Sequence, residues 1–427
     1  MTAGSTAVLA HGLGGSTDLP IPYTYALIGA AWTLTFTFAV VALAWRRPRF
    51  DPAKPGRALP SWVTTTVDSP ATRWTVGLFA LALTGWVAFT AFTRPPATNP
   101  LPGVFYVLLW VGLVAASVLF GPVWRLISPI RALCRFLPLG RRRYPERLGY
   151  WPAAAGLFAF VWLELASPDP GSVGAIRNWL LIYLAVTFAG AVCCGPRWLE
   201  SADPFEVYST VASRVSPLRR HDGRLVVGNP FDHLPSLPVR PGLVAVLAVL
   251  LGSTAFDSFS AMPQWRNFVD AHSESVLGAS LIRTTGLLVF AATVAVTFWA
   301  ATRATGGVDR RLRRELPGLM AHSLIPIVIG YVFAHYLSYL VERGQQTVIT
   351  LFSLDGVEVN YFLSMHPTLL ATLKVGFVLA GHVAGVIAAH DRALRLLPKQ
   401  HQLTGQLATM LVMVGYTFTG LYLLFGG

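Results

Sequence analysis

Residues 324–342 read LIPIVIGYVFAHYLSYLVE, a run long and apolar enough to cross most of a bilayer. It carries Tyr331, His335, Ser338 and Glu342. On a helix turning 100° per residue they fall within about 60° of one another. Lipid offers such a stripe no hydrogen bonds, so it must face other helices or a wet cavity. The expectation for the whole chain follows: a helical bundle embedded in a membrane, with a polar site in its core.

Composition points the same way. The chain is 54% hydrophobic and only 12% charged, where a soluble globular protein carries about 25% charged residues. So little polar surface cannot cover a water-facing globule, and lipid must be the main solvent. The net charge is +13. In a membrane protein such an excess reflects Lys and Arg held in the loops of one side, so nucleic acid is not expected as a partner. Cys134, Cys193 and Cys194 leave an odd count with no CxxC spacing, which argues against a disulfide framework or a thiolate zinc site.

Working outward, ten apolar segments can be marked at 23–45, 74–93, 103–124, 150–167, 176–194, 242–262, 285–302, 319–341, 369–389 and 404–425. The segments at 150–167 and 285–302 are the weakest. The loops at 46–73, 125–149, 195–241, 303–318 and 390–403 hold 27 Lys and Arg, against 5 on the other side when Arg177, at the start of the fifth segment, is counted with the alternating loops; Lys374 lies inside the ninth segment. This places the basic loops in the cytoplasm. The expected fold class is all-α: a polytopic transmembrane helix bundle of about ten spans, with both termini outside. A short extracytoplasmic N-terminus, 1–22, precedes a single transmembrane domain, 23–425. Met1–Ala10 as written makes a poor signal peptide, having no basic region and a very short apolar run. Val8-Leu9-Ala10 nevertheless resembles the residues before a signal-peptidase cut, and with a start upstream, cleavage there would make His11 the new N-terminus.

Two cytoplasmic loops begin alike. Gly121-Pro122-Val123-Trp124 is followed by Pro129, and Gly195-Pro196-Arg197-Trp198 by Pro204, each leading into a helix-like stretch that closes on Pro-Leu. The spacing predicts an internal duplication. Residues 126–137 have apolar side chains at helical spacing between arginines, which predicts a helix on the inner membrane surface near anionic lipid. Residues 219–241 are broken by Pro and Gly and read as irregular. Outside, 263–284 carries Asp270, His272 and Glu274 and reads as a helix lying flat. Residues 347–362 form two runs around Asp355-Gly356 that predict a hairpin over the outer mouth.

Ionisable groups occur at membrane depth. Glu164 lies in the fourth segment, Asp257 near the outer end of the sixth with Ser253 and Ser260 on its face, and His335 in the outer half of the eighth. His382, deeper, sits between Gly381 and Gly385, which permit close helix approach. Each such group needs a partner. Glu164, Asp257 and His335 agree in depth to within about two helical turns, as one outward-facing site would require. Two carboxylates and two imidazoles suit zinc or another divalent metal. They suit a proton relay equally well, and separate structural hydrogen bonds between helices remain a third account. No HExxH, Walker A, GxSxG or GxGxxG motif selects a chemistry.

The motifs His11-Gly12, Asp18-Leu19-Pro20-Ile21-Pro22, the two GPxW loop starts and Gly381-His382-Val383 with Ala389-His390 resemble a family of multi-pass bacterial membrane proteins. Some of its actinobacterial members carry the name fenitrothion hydrolase. The resemblance spans the chain and is poorest at SLDGVEVNYF in the outer loop. It implies hydrolysis of a phosphotriester-like bond, for which a metal-activated water is the usual nucleophile. Three functions are therefore carried forward. The first is a metal-dependent membrane hydrolase. The second is a permease or carrier for a small solute or protons. The third is a scaffold subunit holding a second membrane subunit.

Overall fold

The computed structural model describes residues 18–135, 140 and 142–425, so His11 lies outside the described residues. Ten helices form the framework: α1 (Tyr23–Ala44), α2 (Pro70–Thr93), α3 (Leu101–Phe120), α4 (Trp151–Leu165), α5 (Val173–Cys194), α6 (Leu243–Ser260), α7 (Val276–Arg303), α8 (Arg310–Phe352), α9 (Pro367–Leu396) and α10 (Leu407–Phe425). Among the described residues nine helices are long and apolar enough to cross a membrane. The tenth, α4, has 15 residues, about 22 Å of helix, and ends where Ser167 turns its hydroxyl back onto the Leu163 carbonyl. The chain is an all-α polytopic bundle.

Position in the bundle follows polarity. In α6 and α8, 72% of the most apolar stretch is buried, against 22% in α1, α2, α5 and α7. The peripheral helices turn Trp32, Phe36, Phe79, Ile182 and Leu281 outward, as a lipid-facing surface requires. The inner helices carry the buried polar side chains. Close approach holds α8 and α9 together: a Cβ on Gly330 would lie 2.5 Å from the Phe377 carbonyl, and one on Gly381 would lie 2.5 Å from the Pro326 carbonyl. Glycine at both positions lets the backbones touch.

Helix α8, at 43 residues, is about 64 Å long, roughly twice a hydrocarbon core. Its first turns, RRLRRELPGLM, are amphipathic and lie at the arginine-rich end. A tight 3₁₀ stretch follows at Ala321–Leu324, and a wide π stretch at Tyr339–Arg343. Helix α3 has its own π stretch, Val104–Gly112, packed against that of α8. Wide turns of this kind are frequent at functional sites.

Four local expectations are corrected. The expected hairpin at 347–362 is a helical continuation, Gly344–Phe352, because the chain keeps its helical bonds through the π stretch and stops only at Ser353, in the left-handed region. The expected irregular stretch at 219–241 contains β2 (Leu218–His221) and β3 (Arg224–Val227), joined by an Asp222-Gly223 turn with positive φ at both residues. Preceding them in the chain, β1 (Arg57–Ala58) pairs with β3 in the order β1-β3-β2, all antiparallel. The expected surface helix at 126–137 is two short helices, Trp124–Ile127 and Pro129–Leu133, broken where Ser128 caps the second. Its Arg131 turns into the protein rather than toward lipid. The span expected at 285–302 begins earlier, at Val276, and the flat outer helix is confined to Pro263–Ala271.

The two similar loops have the same local build. Each preceding helix ends at a glycine of positive φ (Gly121, 86°; Gly195, 69°). Each then makes a short helix and a second one opening on proline behind a capping side chain, Ser128 or Asp203.

Candidate functional site

Asp257, near the end of α6, and His335, midway along the α-helical part of α8, meet in the arginine-poor half of the bundle. The His335 Nε2 lies 2.9 Å from Asp257 Oδ2, and the same oxygen accepts a hydrogen bond from the Tyr336 hydroxyl at 2.7 Å. The other imidazole nitrogen, Nδ1, lies 3.1 Å from Ser258 Oγ, which is itself 3.1 Å from the Tyr331 hydroxyl. Beyond these, Ser258 reaches the Thr254 carbonyl at 3.3 Å and Tyr331 the Gly420 carbonyl at 3.4 Å. His335 is 1% exposed and Ser258 fully enclosed, so the network is shut off from lipid and bulk water.

Every hydroxyl in this chain can rotate, and two complete hydrogen-bond patterns exist on one set of heavy atoms. With a neutral imidazole, Nε2–H donates to Asp257, Ser258 donates to Nδ1, and Tyr331 donates to Ser258. With an imidazolium, Nδ1–H donates to Ser258, Ser258 turns to the Thr254 carbonyl, and Tyr331 turns to Gly420. In either pattern each of these buried side-chain groups has a hydrogen-bond partner.

Glu164 of α4 belongs to the same site. Its carboxylate and that of Asp257 act on each other electrostatically, and the phenols of Tyr106, Tyr208, Tyr336 and Tyr339 lie within range. Glu164 thus stands within electrostatic range of Asp257, the partner of His335.

The remaining sequence candidates do other things. His382 donates from Nδ1 to the Val378 carbonyl of its own helix at 2.8 Å, and its Nε2 has no partner among the described residues. Glu342 holds the outer loop, accepting from the Ser364 amide at 2.8 Å. The π stretch explains why it leaves the stripe shared with Tyr331 and His335, since 100° per residue no longer applies there. Ser338 is buried, and His272 bonds the Phe268 carbonyl on the exposed outer helix, with Glu274 just beyond that helix. Ser253 and Ser260 bond backbone carbonyls of their own helix, and Ser258 takes the place expected for them.

Above the site, on the arginine-poor side, a cleft of about 290 Å³ opens between the π stretches of α3 and α8, lined by Asn99, Gly103, Tyr339, Arg343, Gln346 and Thr347. Tyr339 forms its lower wall and stands with its ring 6.2 Å from that of Tyr336, the donor to Asp257. Arg343 makes no ion pair among the described residues. Sequence reading missed Ser258, Tyr336, Tyr339 and Arg343. The usable signal was adjacency, since Ser258 and Tyr336 directly follow Asp257 and His335.

Both nitrogens of His335 are engaged, and no group of three or more His, Cys, Asp or Glu is placed to hold an ion among the described residues. The order Asp257–His335–Ser258 matches the acid, base and hydroxyl of nucleophilic catalysis. However, Ser258 is closed in by Tyr331 and its own helix. In comparisons with known protein families, curated proteins and solved structures, the chain finds no match.

Proposed function

We propose that this multi-pass membrane protein is a carrier for a small solute in the cytoplasmic membrane, basic loops inward, driven by protonation of the Asp257–His335 pair. The observation that carries the reading is the double hydrogen-bond pattern around His335, which accommodates either protonation state without leaving a buried group unmatched. A buried imidazole paired to a carboxylate at membrane depth is the equipment of a proton relay. The Tyr339–Tyr336 step leads from the outer cleft to Asp257, and Arg343 in the cleft favours a solute with an anionic group. The hydrolase reading rests on the family resemblance and on the Asp257–His335–Ser258 order. It requires Ser258 to be uncovered, or His335 to release a nitrogen.

The test is uptake by liposomes containing the purified protein, under an imposed pH gradient, of a panel of labelled small carboxylates and phosphates. The expected result is accumulation of at least one that follows the gradient and ceases in Asp257→Asn. Uptake that ignores the gradient, or survives the substitution unchanged, overturns the reading. Stoichiometric zinc together with phosphotriester hydrolysis that fails in the same variant would establish the hydrolase instead.

A further inference from the structure

Four chain segments end together on the arginine-rich side: the starts of α4 and α6, the end of α7 and the amphipathic opening of α8. Between them lies a groove of about 780 Å³, separate from the Asp257–His335 site. Its upper rim carries Arg240 and Arg314, and its lower wall is Val244, Val296 and Trp299. Val296 and Trp299 are exposed on an apolar helix, so this wall stands in hydrocarbon. From Arg303, at the end of α7, back to Val296 is about 10 Å at 1.5 Å per residue. The groove therefore runs from headgroup level into the acyl region. Trp151 and Trp299 flank it where indole side chains anchor at a membrane interface.

The charges on the rim are available. Glu315, the acidic residue in the lining, is matched by Arg311 at 3.2 Å. Arg314 makes no hydrogen bond or ion pair among the described residues. Arg240 is held in place by a hydrogen bond to Ser201 and by the Tyr150 ring, 5.4 Å from its guanidinium carbon. A guanidinium in that position keeps further N–H groups to offer. Two cations over an apolar trough match an amphiphile with an anionic head and hydrocarbon tails. We propose that the groove holds one anionic phospholipid, its phosphate between Arg240 and Arg314 and its acyl chains along Val244, Val296 and Trp299.

Native mass spectrometry of the intact protein, exchanged into mixed micelles of phosphatidylglycerol and phosphatidylcholine, tests this directly. One phosphatidylglycerol per chain should be retained at least about tenfold in preference to phosphatidylcholine, the factor that about 1.4 kcal/mol represents. Arg314→Gln, a change at an exposed side chain, should lower retention several-fold, and Arg310→Gln, on the same helix but outside the lining, should not. Val244→Trp fills the trough while leaving both arginines, and should also expel the lipid. Equal retention of the two lipids, or indifference to Arg314→Gln, overturns the proposal. So does retention that survives Val244→Trp and is displaced by inorganic phosphate, because the site would then take a free anion. A dimer that Val244→Trp converts to monomer without changing lipid retention would assign the groove to a second copy of the chain.

Discussion

Two of the buried acidic networks among the described residues, one in each half, differ in the partners they are mainly built from. At the arginine-rich end Glu206 is fully enclosed and takes Arg131 in a two-point grip, 2.6 Å to each carboxylate oxygen, with Arg125 Nε at 3.3 Å. Beside it, Asp203 accepts from the Trp124 indole at 3.0 Å, the Tyr183 hydroxyl at 3.1 Å and the Phe205 amide at 3.0 Å. All but the Tyr183 phenol are N–H groups, and guanidinium, indole and amide N–H groups are donors only and keep their protons at any working pH. At the arginine-poor end Asp257 meets an imidazole, a phenol and, through the imidazole, a serine hydroxyl. Each of these partners can both give and accept a hydrogen bond, or change charge. A carboxylate held by fixed donors fastens helices. A carboxylate held by exchangeable ones can take part in moving a proton.

The largest expected effect tests the fastening. Arg131→Met leaves Glu206 buried with only Arg125 beside it, which should cost about 3–5 kcal/mol, the usual penalty for breaking a buried ion pair. Thermal unfolding in detergent would measure it. A loss below about 1 kcal/mol would mean that the grip is dispensable, and the contrast between the two ends would fail at its structural half.

The next effect separates the ends more finely. Ser258→Ala and Ser209→Ala each remove one buried hydroxyl from its network: Ser258 touches His335 Nδ1, and Ser209 touches the Ser117 hydroxyl at 2.8 Å and the Trp124 amide at 3.2 Å. Each should lose about 1–3 kcal/mol of stability, the cost of an unmatched buried polar group. Only Ser258→Ala should also alter how gradient-driven uptake varies with pH, because only that hydroxyl rotates with the proton. If both variants, or neither, shift that profile, the division of labour between the ends is wrong.

How much of this was legible in the sequence depended on how local each signal was. Apolar runs of span length and the one-sided distribution of arginine identify a bundle with a definite alternation of loops, since lipid admits few alternatives. The meeting of Asp257 and His335 was legible because depth along a span follows from counting residues. Glu342 was misplaced because a helical wheel assumes 3.6 residues per turn, and the π stretch at Tyr339–Arg343 resets the phase. The small sheet was missed although Asp222-Gly223 is a strong two-residue turn signal, because the surrounding prolines made the whole loop read as irregular. The grip of Arg131 on Glu206 joins residues 75 positions apart. No local pattern carries such a pairing.

A pair of histidines gives the smallest and most specific test. His335 faces the Asp257 carboxylate, 2.9 Å from its Nε2. His233, on the connection between β3 and α6, faces a cation instead: its Nε2 lies 2.9 Å from the Arg214 guanidinium, which must donate to it. Burial, with Arg214 and Arg219 adding positive charge nearby, pushes its pKa down to about 3. In the unfolded chain the value returns to about 6.5, so as pH falls below that point the unfolded state takes up a proton that the folded state refuses. The stability His233 permits is thus complete above about pH 6.5 and erodes as pH falls toward 3, by about 1.4 kcal/mol at about pH 5.5. His233→Gln keeps an oxygen to accept from Arg214 and removes the titration. Its unfolding midpoint should match the wild type at pH 7.5 and exceed it near pH 5.5. The same comparison at His335 should come out differently, with no gain in acid for His335→Gln, because a carboxylate rather than a guanidinium faces that imidazole. Equal acid behaviour of the two variants would show that the partners around each imidazole do not set its charge, and the distinction between fixed and exchangeable partners would lose its footing.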